Sequence, residues 1–162
     1  MKAAIESGDA KKVAELIRQD PGFNVNMELS VGAGWTPLHY ACDGSRASAV
    51  IPLLLAHPDI DVNLKNIMGE TPFYLAFASG SPSYVREMLK DSRVKLNEPG
   101  KDGCTPLRDG AYFSQLDVIK WWIASERDMD LGTPGHIYHT DAIGGAKDNH
   151  NTEVATLLET QE

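Results

Sequence analysis

Long apolar runs are missing from this 162-residue chain: the longest uninterrupted small-or-apolar stretch, Ala49 to Ala56, has eight residues and contains Pro52. A bilayer span needs about 20, so membrane insertion is not expected. No signal-peptide pattern opens the chain. Basic runs never exceed two residues, and 15 Lys and Arg against 23 Asp and Glu give a formal charge of −8. Nonspecific binding to nucleic acid or anionic lipid needs clustered cations, and neither is expected here. Enzyme signatures are absent as well: there is no Gly-x-Ser-x-Gly elbow, no Gly-x-x-x-x-Gly-Lys phosphate loop, no Gly-x-Gly-x-x-Gly and no Cys-x-x-Cys. The expectation is a chain without catalysis, cofactor or resident metal.

What is present is a period. Gly34-Trp35-Thr36-Pro37-Leu38-His39-Tyr40-Ala41 returns as Gly69-Glu70-Thr71-Pro72-Phe73-Tyr74-Leu75-Ala76 and as Gly103-Cys104-Thr105-Pro106-Leu107. Thr36, Thr71 and Thr105 lie 35 and 34 residues apart, and Thr140 follows 35 later in a degenerate copy. A second register agrees, in the apolar groups Val50–Leu55, Tyr84–Leu89, Val118–Ile123 and Val154–Leu158. A shortened first copy runs from Ala4 to Asn26. Self-similarity at such a spacing marks a stack of units. Threonine before proline suits a helix start, because the hydroxyl accepts an orphan N–H and proline at the first position loses no bond. Turn residues at Gly44-Ser45, Gly80-Ser81-Pro82 and Phe113-Ser114-Gln115 then predict a second, antiparallel helix in each unit. Clusters of Gly, Asn, Asp and Pro between units predict tight turns.

These residues resemble the ankyrin-repeat family: Thr36-Pro37-Leu38-His39-Tyr40-Ala41 meets its T-P-L-H-x-A pattern, and the period is close to its value of about 33. The tetratricopeptide pattern would place Trp, Gly, Tyr and Pro at other offsets. Copy four departs from the ankyrin pattern at Arg108, Asp109 and Gly110, and copy five has lost the proline. The resemblance implies an all-α solenoid of stacked helix-turn-helix repeats with finger-like β-turn loops. About five repeats, caps included, make one domain over residues 1–162, with approximate units 1–30, 31–65, 66–99, 100–133 and 134–162. Two units separate Cys42 from Cys104, on the order of 20 Å at helix spacings of about 8–10 Å. That exceeds disulfide reach of about 7 Å, so both are expected as free thiols in a reducing, intracellular compartment, cytoplasmic or nuclear.

His39 and Cys42 are three apart on a helix, yet the motif histidine is structural in ankyrin relatives and Cys42 replaces a small inward residue. His136, His139 and Asp141 carry zinc-ligand chemistry, but no cysteine or fourth ligand is near in sequence. Trp121 and Trp122 fall where other copies hold leucines, so at least one belongs to the core, while a partly exposed one is a binding candidate. The resemblance therefore implies a protein-binding scaffold or adaptor, monomeric, that holds a partner protein or peptide on the concave face of fingers and first helices. On the fingers the expected contacts are Trp35, Asn66, Met68, Glu70, Lys101, Asp102, Cys104, His136 and Tyr138. On the helices they are Asp43, Ser79, Tyr112 and Phe113. Trp35, Met68, Tyr112, Phe113 and Tyr138 are the expected anchors. The alternatives are a regulatory fragment of a larger enzyme or channel, and a metal-dependent sensor or enzyme.

Overall fold

A computed structural model describes residues 1–43, 48–132 and 141–161. Several helices begin where local chemistry favours it. Thr71 Oγ1 accepts the Tyr74 N–H at 3.2 Å and Thr105 Oγ1 accepts the Arg108 N–H at 3.2 Å, with Pro72 and Pro106 opening the first turns. The fifth unit departs from the expected register. Its helix starts at Ala142 under Asp141, whose carboxylate accepts the Gly144 N–H at 2.6 Å. The cap thus comes one residue later than the threonine spacing predicts, and Thr140 lies outside the described residues, as does the Gly44-Ser45 turn.

Ten helices occur among the described residues: α1 Lys2–Glu6, α2 Ala10–Gln19, α3 Pro37–Asp43, α4 Val50–Leu55, α5 Pro72–Ala78, α6 Pro82–Leu89, α7 Pro106–Tyr112, α8 Leu116–Ala124, α9 Ala142–Asp148 and α10 Thr152–Glu159. They pair as hairpins, α1 with α2 through to α9 with α10. The odd-numbered helices pack in one row, α1 on α3, α3 on α5, α5 on α7, α7 on α9; α2, α4, α6 and α8 pack in a second. The chain is therefore an all-α solenoid, as its period predicts. The turn from inner to outer helix needs a left-handed residue, supplied by Gly80 at φ +65° and by Ser114 at +60° one unit on.

Apolar residues at three- and four-residue steps point both helices of a unit toward one continuous core. Leu38, Phe73, Leu107 and Ile143 recur in register in the inner row, and Ile51, Leu54, Val85, Met88, Ile119 and Trp122 fill it from the outer row. Trp122 is fully buried, edge-on to Phe73 and Phe77 with ring centroids 5.5 and 5.3 Å away. Its neighbour Trp121 is 41% exposed under the Arg86 guanidinium. Lys11 and Lys12 on α2, and Glu159, Thr160 and Gln161 at the end of α10, are exposed polar residues in the two terminal units.

Side-chain amides stitch the units from outside. Asn26 Nδ2 donates to the Asp59 carbonyl at 2.7 Å while its Oδ1 accepts the Asp61 N–H at 2.9 Å. Asn63 does the same to Arg93 O and Lys95 N–H at 2.9 and 2.8 Å, and Asn97 to Asp128 O and Asp130 N–H at 3.5 and 3.2 Å. Arg127 also reaches back, donating to the carbonyls of Asp91 at 3.0 Å and Val94 at 2.6 Å. Behind the last units a cleft of about 470 Å³ opens between α8 and α10, floored by Leu116 and Leu157.

Candidate functional site

The inter-unit fingers form a ladder of their own. Each closes on itself, Leu29 N–H to Trp35 O at 2.8 Å, Asn66 N–H to Glu70 O at 3.0 Å and Gly100 N–H to Cys104 O at 3.0 Å. Each then bonds the next: Ile67 N–H donates to Ala33 O at 3.1 Å and Lys101 N–H to Met68 O at 2.8 Å. Gly69 permits this approach. Its φ is +77°, and a Cβ there would lie 2.8 Å from the Lys101 nitrogen. The result is a row of tips in fixed spacing beside the inner helices α3, α5, α7 and α9.

His39 ties helix to finger. Its Nδ1 accepts the Thr36 N–H at 3.2 Å, which leaves the proton on Nε2 to donate to Glu70 O at 3.2 Å. Both ring nitrogens are used structurally, and burial holds the imidazole pKa below its ordinary value. In the same register the next unit has Tyr74, whose hydroxyl donates to Asp109, and the one after has Arg108, which bonds Asp109 at 3.0 Å and lies 4.9 Å from the Tyr112 ring. Burial, then the bond to Asp109, pushes the Tyr74 phenol well above its usual range. The three departures in copy four are thus one arrangement: Arg108 is 4% exposed and paired with Asp109. Gly110 makes room for Phe77, since a Cβ there would sit 2.2 Å from its ring.

The expected contact residues divide by exposure. Met68, Phe113, Lys101, Asp43 and Ser79 are exposed, Met68 at 58% and Phe113 at 60%. Trp35, Glu70, Asp102 and Tyr112 are half-buried. Trp35 packs on Tyr40 with centroids 5.1 Å apart, and Tyr112 is edge-on to Phe113 at 5.1 Å. Asn66 and Cys104 lie inside: the Asn66 side chain organises its own finger through Met68 N–H, Glu70 N–H and the Glu70 carboxylate. His136 and Tyr138 lie outside the described residues, as does His139. Asp141, weighed with them as a zinc ligand, caps α9 instead.

Two tip residues escaped the sequence reading. Val31 is fully exposed and Ile67 is 51% exposed, so with Met68 they make an apolar ridge across two fingers. The signal was available: both are apolar residues inside turn segments, where no helical period claims them. Tyr40 was also passed over as a surface residue, although the Lys2 ammonium sits 4.6 Å from its ring. Cys42 and Cys104 are free and buried; burial raises both thiols, Cys104 to about 11, which leaves them protonated and inert. No described helix is long and apolar enough to cross a membrane.

Residues 1–97 match the family model for ankyrin repeats in three copies. The chain is 34% identical over 107 residues to alpha-latrotoxin-Lg1a of Latrodectus geometricus, covering 65% of this chain and 8% of the toxin. It is 31% identical over 99 residues to neurogenic locus notch homolog protein 4 of Homo sapiens, covering 61% and 5%. It is 41% identical over 78 residues to the 2-5A-dependent ribonuclease of Homo sapiens, covering 48% and 10%. It thus spans a tenth or less of the length of these relatives. With the family model covering more than half of the chain, and with helical hairpins stacked in register beside a ladder of fingers, this protein belongs to the ankyrin-repeat family.

Proposed function

We propose that this chain binds another protein or peptide on the face formed by its finger tips and inner helices, with no catalysis of its own. Ankyrin repeats are general protein-interaction modules, and the fold is non-enzymatic. The observation that supports this face is the exposed apolar finger residues Val31, Ile67 and Met68, which water-facing turns do not require, together with Phe113 exposed at the C-terminal end of α7. Around them Trp35, Tyr112, Asp43, Glu70, Ser79, Lys101 and Asp102 supply aromatic area and polar contacts. Residues 1–162 act as one monomeric domain of five units in an intracellular compartment, with no bound cofactor. His39 has both nitrogens committed to backbone and hydroxyl partners, and the two thiols are buried, so none of these three side chains is free for acid, base or nucleophile work.

The test is affinity capture from source-cell lysate with the wild type beside a Met68→Ala/Phe113→Ala variant. Both side chains are mostly in water, so the variant keeps its fold and loses wild-type partners. Identical captured sets from the two proteins overturn the assignment of this face. A second reading, a regulatory segment within a larger protein, is favoured by the small share of its relatives that the chain covers. Finding whether the native coding sequence continues past these residues decides it.

A further inference from the structure

Sulfur in this chain is sorted by depth. The Cys42 and Cys104 thiols are buried, and so is Met88. Met1 and Met129 are half-buried against the core. Met27 is 38% exposed and Met68 is 58% exposed, so Met68 carries the sulfur most open to water. A thiol must first lose a proton to react, whereas a thioether has none to lose, and access alone governs its oxidation. The rest of Met68 is held fast. Its N–H donates to Asn66 Oδ1 at 2.9 Å, and its carbonyl accepts the Lys101 N–H at 2.8 Å. The preceding Ile67 N–H ties the same finger to Ala33 O at 3.1 Å. All three bonds are made by backbone groups or by Asn66, so the thioether can change without unfastening the finger. Chemical access and structural independence meet at one sulfur, beside the exposed Val31 and Ile67 of the apolar ridge.

We propose that Met68 is a redox site: a hydroperoxide converts its thioether to the sulfoxide, which makes the apolar ridge polar and releases the partner from the finger face. The proposal rests on the finger-face reading above and adds its regulation. A sulfur lone pair takes the terminal oxygen of the hydroperoxide; an S–O bond forms as the O–O bond breaks. The remaining oxygen keeps the proton and leaves as water or an alcohol, so sulfur is oxidised by two electrons and the peroxide reduced by two. The new oxygen is a strong acceptor. Covered by an apolar partner surface it loses its water and gains no donor, which weakens the contact. Methionine sulfoxide reductases, one for each sulfoxide epimer, return the thioether at the expense of a thiol reductant, so the change is reversible.

The test exposes the purified intact chain to hydrogen peroxide for increasing times, removes the oxidant and maps added oxygen by peptide mass spectrometry. Met68 is oxidised first, Met27 later and Met88 last, and the form oxidised at Met68 alone melts at the temperature of the reduced chain. On a hydrophobic-interaction column that form elutes earlier, and reductase with a thiol reductant restores its position; Met68→Leu shows no shift over the same exposure. Immobilised, the oxidised chain loses the partners that the reduced chain captures from source-cell lysate and regains them after reductase treatment, with mass spectrometry of the recovered chain confirming its state. Oxidation of Met27 or Met88 ahead of Met68, a lowered melting temperature on oxidation at Met68, or an unchanged captured set overturns the proposal. If capture survives oxidation while Met68→Ala/Phe113→Ala loses it, the face stands and only the redox control is wrong. If neither changes capture, the face itself is wrong.

Discussion

His39 shows what one side chain does in a stack. Its Nδ1 takes the Thr36 N–H and its Nε2 proton reaches the next finger at Glu70 O, so the ring is neutral and shared by two units. Protonating Nδ1 destroys the first bond and places a charge in a buried site. Because burial lowers the folded-state pKa below the reference of 6.5, the unfolded chain binds the proton first as pH falls. His39 therefore contributes its full stability above about 6.5 and loses it progressively below. The thermal midpoint is expected to fall between pH 7 and 5.5, and His39→Asn, less stable at pH 7, is expected to show a flatter profile over that window. A variant that retains the full wild-type slope would place the titrating group elsewhere. The histidine was readable from its motif, whereas the role of Arg108 was not: nothing local says that its charge is answered by Asp109 and by the Tyr112 ring.

Between neighbouring helices, period alone separates core from surface only to within a residue. Trp121 and Trp122 both occupy leucine positions of α8, yet only Trp122 enters the cluster with Phe73 and Phe77, while its indole N–H donates to Asp128 O at 3.3 Å. Trp122→Ala is expected to cost about 3–5 kcal/mol. Trp121→Ala, at a site 41% exposed, is expected to cost about 1 kcal/mol or less. Urea melts of the two variants check the pair, and equal losses would contradict this packing. Helix starts were legible wherever Thr-Pro was intact. The last one was not, because Asp141 replaces the threonine as cap with one extra residue before it, and an aspartate among polar neighbours gives no period of its own. Gly110, a departure from the pattern of copy four, has its reason one unit away, where Phe77 occupies the missing methyl's place.

Across the whole molecule each unit rests mainly on its immediate neighbours, through the two helix rows, the finger ladder and the asparagine stitches. Asn63→Ala removes two bonds to the following unit and leaves the Lys95 N–H without its acceptor. The expected loss is about 1–3 kcal/mol. Hydrogen exchange is expected to quicken most in residues 93–97, and uniform quickening along the chain would contradict a local stitch. The fold class could be read from the sequence since every copy restates it; the proposed binding face could be read only in part, because tip residues such as Val31 and Ile67 obey no period. Neighbour-only support has a mechanical side. Tension applied at the two ends meets no backbone hydrogen bond between the first hairpin and the last among the described residues, so the protein is expected to yield one hairpin at a time, each freed stretch of roughly 34 residues lengthening the tether by about 110 Å. Tethered between two anchors, such a chain behaves as a stepwise extensible spring.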